Sequence, residues 1–198
     1  MIIVSVKDTR SATASVKRKK VNDFEGYHDI WIRESNLIEG VDDEQADKDS
    51  HEAFKKFYER KLTRESILHL HYDVMLHQNR RIAGSYRRMN VAVGNHTAPH
   101  WKIVPNLLKD WLANWGDIKD QQEIIIGHIL FEKIHPFEDG NGRVGRMIIN
   151  YQTLKAGQNI VCFYSASKRK DYYPLFDEFD RIFGHDWTRK LRRRNGTG

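Results

Sequence analysis

The sequence predicts an all-α domain carrying one small β-hairpin. Apolar residues recur at helical spacing through most of the chain, in stretches too long for strands. Only Met89, Val91 and Val93, interleaved with Asn90 and Ala92, alternate as a short strand does, and Gly94-Asn95-His96-Thr97-Ala98-Pro99 follows as a turn or return loop. At 198 residues the chain is long enough for one substantial core.

Residues 1–22 are rich in Ser, Thr, Ala and Lys without sustained periodicity and read as a loosely ordered arm. A helix is expected over about 23–40, with Phe24, Tyr27, Trp31, Ser35 and Ile38 on one face and Gly40 as its C-cap. Asp47 to Leu62 and Thr63 to Gln78 follow as two more helices, with Phe54, Phe57, Tyr58, Ile67, Leu68, His71, Val74 and Met75 facing the core. His69 and His71 are two apart, so a helix points them in different directions and they serve packing or surface roles. Asn106 to Trp115 is amphipathic, its tryptophans core residues. Gln121 to Ile134 is strongly apolar and is expected to be the central buried helix, with His128 satisfied or lining within it. A further helix runs from Val144 to Ala156, and the last one passes through Leu175, Phe176, Phe179, Ile182 and Phe183. Residues 187–198 read as a basic tail after a domain spanning 23–186.

The net charge of +6 resembles a nucleic-acid signal, but its distribution argues otherwise. Lys17 to Lys20 and the cluster Arg189, Lys190, Arg192, Arg193 and Arg194 hold nine positive charges; without them 24 basic residues face 27 acidic ones. Solvated ends account for this better than a nucleic-acid partner. Cys162 is the only cysteine, which excludes an intrachain disulfide and a cysteine zinc site. Met1 to Val4 is too short for a signal core and no segment is long enough to span a membrane, so a cytoplasmic location is expected.

The chemistry concentrates in His135-Pro136-Phe137-Glu138-Asp139-Gly140-Asn141-Gly142-Arg143-Val144-Gly145-Arg146. Glycines around Asn141 let backbone N–H groups turn inward as an anion site, and the turn feeds a helix N-terminus, where the dipole favours phosphate. Arg143 and Arg146, three apart, are placed to grip a polyphosphate. Asp139 would repel a bare phosphate and makes sense as a ligand of Mg²⁺ bridging phosphate oxygens. His135, with an ordinary pKa near 6.5, suits general-base work. Gly140, Gly142 and Gly145 match the dinucleotide fingerprint only formally, because Pro136, Glu138 and Asp139 stand where its strand belongs. No Gly-Lys-Ser/Thr marks a Walker A loop.

This stretch resembles, at every defined position, the His-x-Phe-x-Asp/Glu-Gly-Asn-Gly-Arg-x-x-Arg motif of the Fic family, and the similarity extends over about residues 24–184. The resemblance implies the Fic fold and a protein adenylyltransferase that moves AMP from ATP to a Tyr, Thr or Ser hydroxyl of a target protein. His135 would be the base, Asp139 would hold Mg²⁺, and Gly140, Asn141, Gly142, Arg143 and Arg146 would bind the phosphates. Ser35-Asn36-Leu37-Ile38-Glu39-Gly40 resembles the Ser/Thr-x-x-x-Glu-Gly/Asn signature of the subset (class II) with an N-terminal inhibitory helix. There Glu39 would form a bidentate pair with Arg146 and displace the γ-phosphate. Gly84, Tyr86, Arg87, Val91, Val93, Gly94 and Pro99 resemble the family's flap, with Ala98-Pro99 where two prolines are common. That places Val93, Gly94, Asn95 and His96 beside the nucleotide and the target along the flap edge. Tyr172, Tyr173 and Asp180 inherit an adenine-lining role. The resemblance leaves open transfer of UMP, phosphocholine or phosphate, removal of AMP, a non-enzymatic nucleotide-binding regulator, and the oligomeric state.

Overall fold

The structure, a computed structural model, describes residues 24–94, 96–184 and 187–192, with side chains described from residue 30 onward. The arm at 1–22, the side chains of Phe24 and Tyr27, Asn95 and residues 193–198 lie outside the described residues. The elements are α1 (Phe24–Ile38), α2 (Glu44–Tyr58), α3 (Arg64–Met75), β1 (Ala92–Val93), β2 (His96–Thr97), α4 (Val104–Trp115), α5 (Gln121–Ile134), α6 (Asn141–Lys155), α7 (Tyr173–Phe183) and α8 (Trp187–Arg192). The expected all-α architecture with one small hairpin is observed. No helix among the described residues is long and apolar enough to cross a membrane.

Local chemistry sets most of the boundaries. Asp43 accepts from the N–H groups of Gln45 and Ala46, so α2 starts ahead of the predicted Asp47. Thr63 and Ser66 cap α3 reciprocally. Asp120 accepts from Glu123 N–H at the start of α5. Gly40, at φ +77°, closes α1: its N–H reaches Leu37 O and that of Val41 reaches Asn36 O. Gly157 does the same for α6 through Leu154 O and Thr153 O.

Helices α5 and α6 form the centre, joined by residues 135–140. Nearly every residue of α6 from Asn141 to Thr153 is buried, so its polar side chains must find partners inside. Asn150 does so with both backbone groups of Val161, and Gln152 with Trp115 O. Two glycines set the close approaches: a Cβ on Gly127 would sit 3.3 Å from Trp115, and one on Gly145 would sit 2.3 Å from a Glu132 carboxylate oxygen. Trp111 and Trp115 are core residues, as expected, and Trp111 donates to Gly127 O at 2.7 Å.

Three expectations need correction. The strand expected from Met89 is paired only at Ala92–Val93, and its return is a strand at His96–Thr97, in the register Ala92 to Thr97 and Val93 to His96. Helix α6 begins at Asn141, ahead of Val144, so the glycine-rich turn is itself the first turn of the helix. Residues 187–192, expected as tail, form α8, which packs on α4. Trp187 and Leu191, one helical turn apart, are buried among the basic residues, and Trp115 donates to Leu191 O. Helix α7 is thus followed by another helix, and it is entered through a π-helical turn at Lys168–Tyr172.

Phe137 is fully buried and stacks on His71, ring centroids 3.8 Å apart, which ties the 135–140 turn to α3. Replacing Phe137 by Ala is expected to cost about 3–5 kcal/mol, read from urea unfolding midpoints.

Candidate active site

The turn between α5 and α6 is over-determined. His135 caps α5 in the left-handed region, at φ 48° and ψ 64°, its N–H still bonded to Phe131 O. This is the only positive-φ non-glycine residue among the described residues, a strained conformation that the surroundings must hold. Buried Arg87 supplies much of that hold. Its guanidinium donates to His135 O at 2.7 Å, to Met89 O at 2.8 Å and to Pro99 O at 2.5 Å, so one side chain fastens the root of the hairpin to the turn. Asn141 clasps Phe137 from both sides, accepting from its N–H at 2.8 Å and donating to its carbonyl at 3.0 Å. The Asn141 side chain therefore shapes the turn, with its oxygen and its nitrogen both bonded to the Phe137 backbone. His71 accepts from Gly84 N–H on Nδ1, which leaves Nε2 as the protonated nitrogen that donates to Asp139 O at 3.0 Å. Asp139 itself is exposed, with Oδ1 accepting from Gly140 N–H at 2.6 Å.

Helix α6 then opens with no side-chain cap, Gly140 standing at φ +77°. The carboxylate of Glu39 lies at this end: a Cβ on Gly142 would fall 2.1 Å from Glu39 Oε1. The same oxygen accepts from Arg146 Nη2 at 2.6 Å. The pair is single-pronged, not the expected bidentate one, because Ser35 takes other donors: Oγ accepts from Nε at 2.8 Å and its carbonyl from Nη2 at 2.9 Å. Nη1 donates to Tyr172 Oη at 3.1 Å, and the guanidinium carbon lies 5.3 Å from that ring's centre. Burial would lower the Arg146 pKa, but Tyr172 and Glu39 beside it more than offset that, so the charge is permanent. Arg143 is also buried but points to α3 and the segment after it, donating to Gln78 Oε1 at 2.7 Å and to Met75 Sδ at 3.0 Å. The two arginines, expected on one side, diverge from the helix start.

The remaining predicted residues are more scattered. Val93 is exposed on the hairpin beside Gly94 at φ +57°, and His96 bonds through Nε2 to Lys133 O at 3.0 Å. Tyr172 is buried, with its hydroxyl between Arg146 and His128, so it backs the arginine. Tyr173 is exposed, and Asp180 pairs with buried Lys133 at 2.5 Å. A cavity of about 310 Å³ lies away from the motif, at the hairpin root, lined by Tyr86, Arg88, Trp101, Lys102 and others. Sequence reading missed Arg87's role in the turn, Lys133, and above all Glu132. The signal for Glu132 was a carboxylate one helical turn from His128 in an otherwise apolar helix.

Burial dominates the titration of this region. It lowers His71 and His135 to about 4 and His128 to about 3, and raises Glu132 to about 8. From about pH 4.5 to 6.5 the unfolded state takes up protons on three histidines that stay neutral when folded, while the folded state holds one extra proton on Glu132. Stability there rises with pH. The unfolded histidines are still half protonated at 6.5, so the sign reverses only near pH 7, above which Glu132 dominates until about pH 8. The urea midpoint is expected to peak near pH 7 and to fall more steeply on the acid side.

Residues 61–153 match the model of the Fic/DOC family. A probable protein adenylyltransferase of Aquifex aeolicus is 31% identical over 144 residues, 68% of this chain and 44% of that protein. A protein adenylyltransferase Fic of Nematostella vectensis is 30% identical over 126 residues, covering 59% of this chain and 28% of that protein. The chain thus spans less than half the length of these curated relatives. Among solved structures, Fic-1 of Caenorhabditis elegans superposes with a TM-score of 0.66 at 18% identity, over 85% of this chain and 62% of that one. A Fic domain containing signaling protein of Bacteroides thetaiotaomicron gives 0.62 at 17% identity, over 83% and 84% of the two chains. The motif turn, the helices on either side of it and these similarities together make this a chain that carries a Fic/DOC family domain.

Proposed function

We propose that the protein is an adenylyltransferase that moves AMP from ATP to a Tyr, Thr or Ser hydroxyl of a target protein, and that Glu39 holds it off. The observation that carries this reading is the Glu39 carboxylate, seated on Arg146 and against Gly142 at the uncapped start of α6. An anion already occupies the place where a helix N-terminus and a guanidinium favour one. The names borne by the relatives from Aquifex aeolicus and Nematostella vectensis support the choice of AMP.

In this reading the ATP phosphates lie along the backbone N–H groups of Gly140, Asn141 and Gly142, with Arg146 on the terminal phosphate and Arg143 beside them. Placing Arg146 there requires Glu39 to leave, since one Nη2 cannot serve both anions in one geometry. His135 is neutral at physiological pH because burial holds its pKa near 4, so it can accept a proton without first losing one. It takes the proton of the target hydroxyl. The freed oxygen bonds to the α-phosphorus as the bond to the bridging oxygen breaks, and pyrophosphate leaves with its electron pair. Catalysis is positioning and charge stabilisation. The exposed edge of the hairpin offers the target backbone a strand to join.

A divalent ion fits this site only together with the nucleotide. Among the described residues no cluster of three or more His, Cys, Asp or Glu could hold a metal. Asp139, exposed and with only Oδ1 on Gly140 N–H, matches the single carboxylate that Mg²⁺ takes when phosphates complete its shell. Bound there, the ion would neutralise charge on the phosphate oxygens.

Glu39→Gly is expected to raise self-labelling from ATP radiolabelled at the α-phosphate by about tenfold or more, the scale of one charged contact removed. An unchanged signal would remove Glu39 from control of the site. His135→Ala in the same background is expected to lower transfer by about 100-fold or more while ATP still binds in calorimetry, and retained transfer would exclude His135 as the base.

A further inference from the structure

We infer that Glu132 is a positioning residue that keeps Arg146 aimed at the anionic tail of the nucleotide, through a one-way hydrogen-bond relay running from Arg146 to Tyr172 to His128 to Glu132. The inference rests on the proposed reading of Arg146 as a phosphate ligand.

The direction of the relay follows from donor chemistry. A guanidinium only donates, so Tyr172 Oη accepts from Arg146 Nη1 at 3.1 Å. Burial raises the Tyr172 pKa well above the usual phenol range, so the hydroxyl keeps its proton and donates it to His128 Nε2 at 2.9 Å. Nε2 is then the acceptor nitrogen of a neutral imidazole, and Nδ1 carries the ring proton. Nδ1 faces Glu132 Oε1 at 4.0 Å, with the Gly145 backbone also beside the imidazole, and neither atom has a hydrogen-bond partner of good geometry. Two buried polar atoms left facing each other are costly unless they meet in some state of the site.

The packing is built for this pair. His128 and Glu132 lie one turn apart on α5 and face α6, where Gly145 stands. A Cβ on Gly145 would fall 2.3 Å from Glu132 Oε1 and 2.9 Å from the His128 ring, so only glycine leaves the pair its room. No hydrogen bond joins Glu132 directly to Arg146. Glu132 therefore acts on the guanidinium without covering Nη2 or the face beside Gly142, where Glu39 now sits.

Electrostatics leave the last step to geometry. Burial is the largest cause that raises the Glu132 pKa; Arg146 opposes it and Glu39 adds to it. An anionic phosphate in place of Glu39 acts in the same sense, so the carboxyl keeps its proton. Its carbonyl oxygen still accepts. A rotation about the Glu132 side-chain bonds brings that oxygen from 4.0 Å onto His128 Nδ1–H and closes the relay behind Arg146, leaving Nη2 to Glu39 or to phosphate.

The test uses the full chain with Glu39→Gly, comparing it with the same protein carrying Glu132→Ala, Tyr172→Phe or both. ATP and AMP affinities are measured by calorimetry, with KM for ATP and kcat from self-labelling. Each single change is expected to weaken ATP about tenfold relative to AMP and to raise KM more than it lowers kcat. The double change is expected to add little to either, because both cut one chain. Tyr172→Phe removes only a hydroxyl and keeps its ring against Phe163 and Phe176, so it tests the relay even if Glu132→Ala perturbs folding. An ATP-to-AMP preference unmoved by either single change, or losses that add in full, would overturn the inference. If the Glu39→Gly parent itself binds ATP no better than AMP, the assignment of Arg146 to phosphate fails instead.

Discussion

The architecture of the site depends on one buried cation. Arg146 sits inside α6 among partners from α1 and from the turn before α7, and it cannot shed its charge. A permanent positive charge away from water has to be answered by acceptors on every side. Ser35 answers with a hydroxyl and a carbonyl, Tyr172 with a hydroxyl and Glu39 with the formal negative charge. Segments far apart in sequence are brought together by that demand. The one partner carrying charge is also the least enclosed, with 37% of the Glu39 side chain exposed. That makes it the member of the set an incoming anion could replace.

Around this charge the backbone is fixed by side chains that do no chemistry. Arg87 gathers the carbonyls of His135, Met89 and Pro99, Asn141 holds Phe137, and His71 holds Asp139 and Gly84. Each bond satisfies a backbone group that a tight turn would leave orphaned in the interior. The result is a turn whose N–H groups and imidazole are set before any ligand arrives, which is how preorganisation lowers the cost of binding.

Much of this was legible in the residues. Helical spacing found the helices α1 to α7, because an amphipathic or apolar face repeats at a period that composition cannot hide. The twelve residues from His135 marked the site, since glycine, carboxylate, imidazole and arginine rarely crowd so closely without a use. What stayed hidden was direction. Spacing placed Arg143 and Arg146 near each other, but the partners that pull one toward Gln78 and the other toward Ser35 lie tens of residues away. The clasp of Asn141 on Phe137 went unread because a short turn's internal hydrogen bonds leave no periodic trace. Helix α8 was masked by its charge, its two apolar residues lost among arginines and lysines. Glu132 stood out only as a carboxylate one turn from His128, and nothing local says that Gly145 has made room for the pair.

The mounting of α1 has a consequence for how the site could open. Arg33 pairs with Asp42 and Asp47, Asn36 bonds to Asp47 and Ser50, Glu34 accepts from Ser165 N–H, and Lys168 donates to the last carbonyl of the helix, that of Ile38. Trp31, Ile32 and Ile38 are buried as well. Such a helix does not detach cheaply, whereas the Glu39 side chain beyond its end needs only a rotation about its own bonds. Access to the guanidinium would then be a matter of torsion angles and mass action, set by how much competing anion is present, with the scaffold standing still throughout.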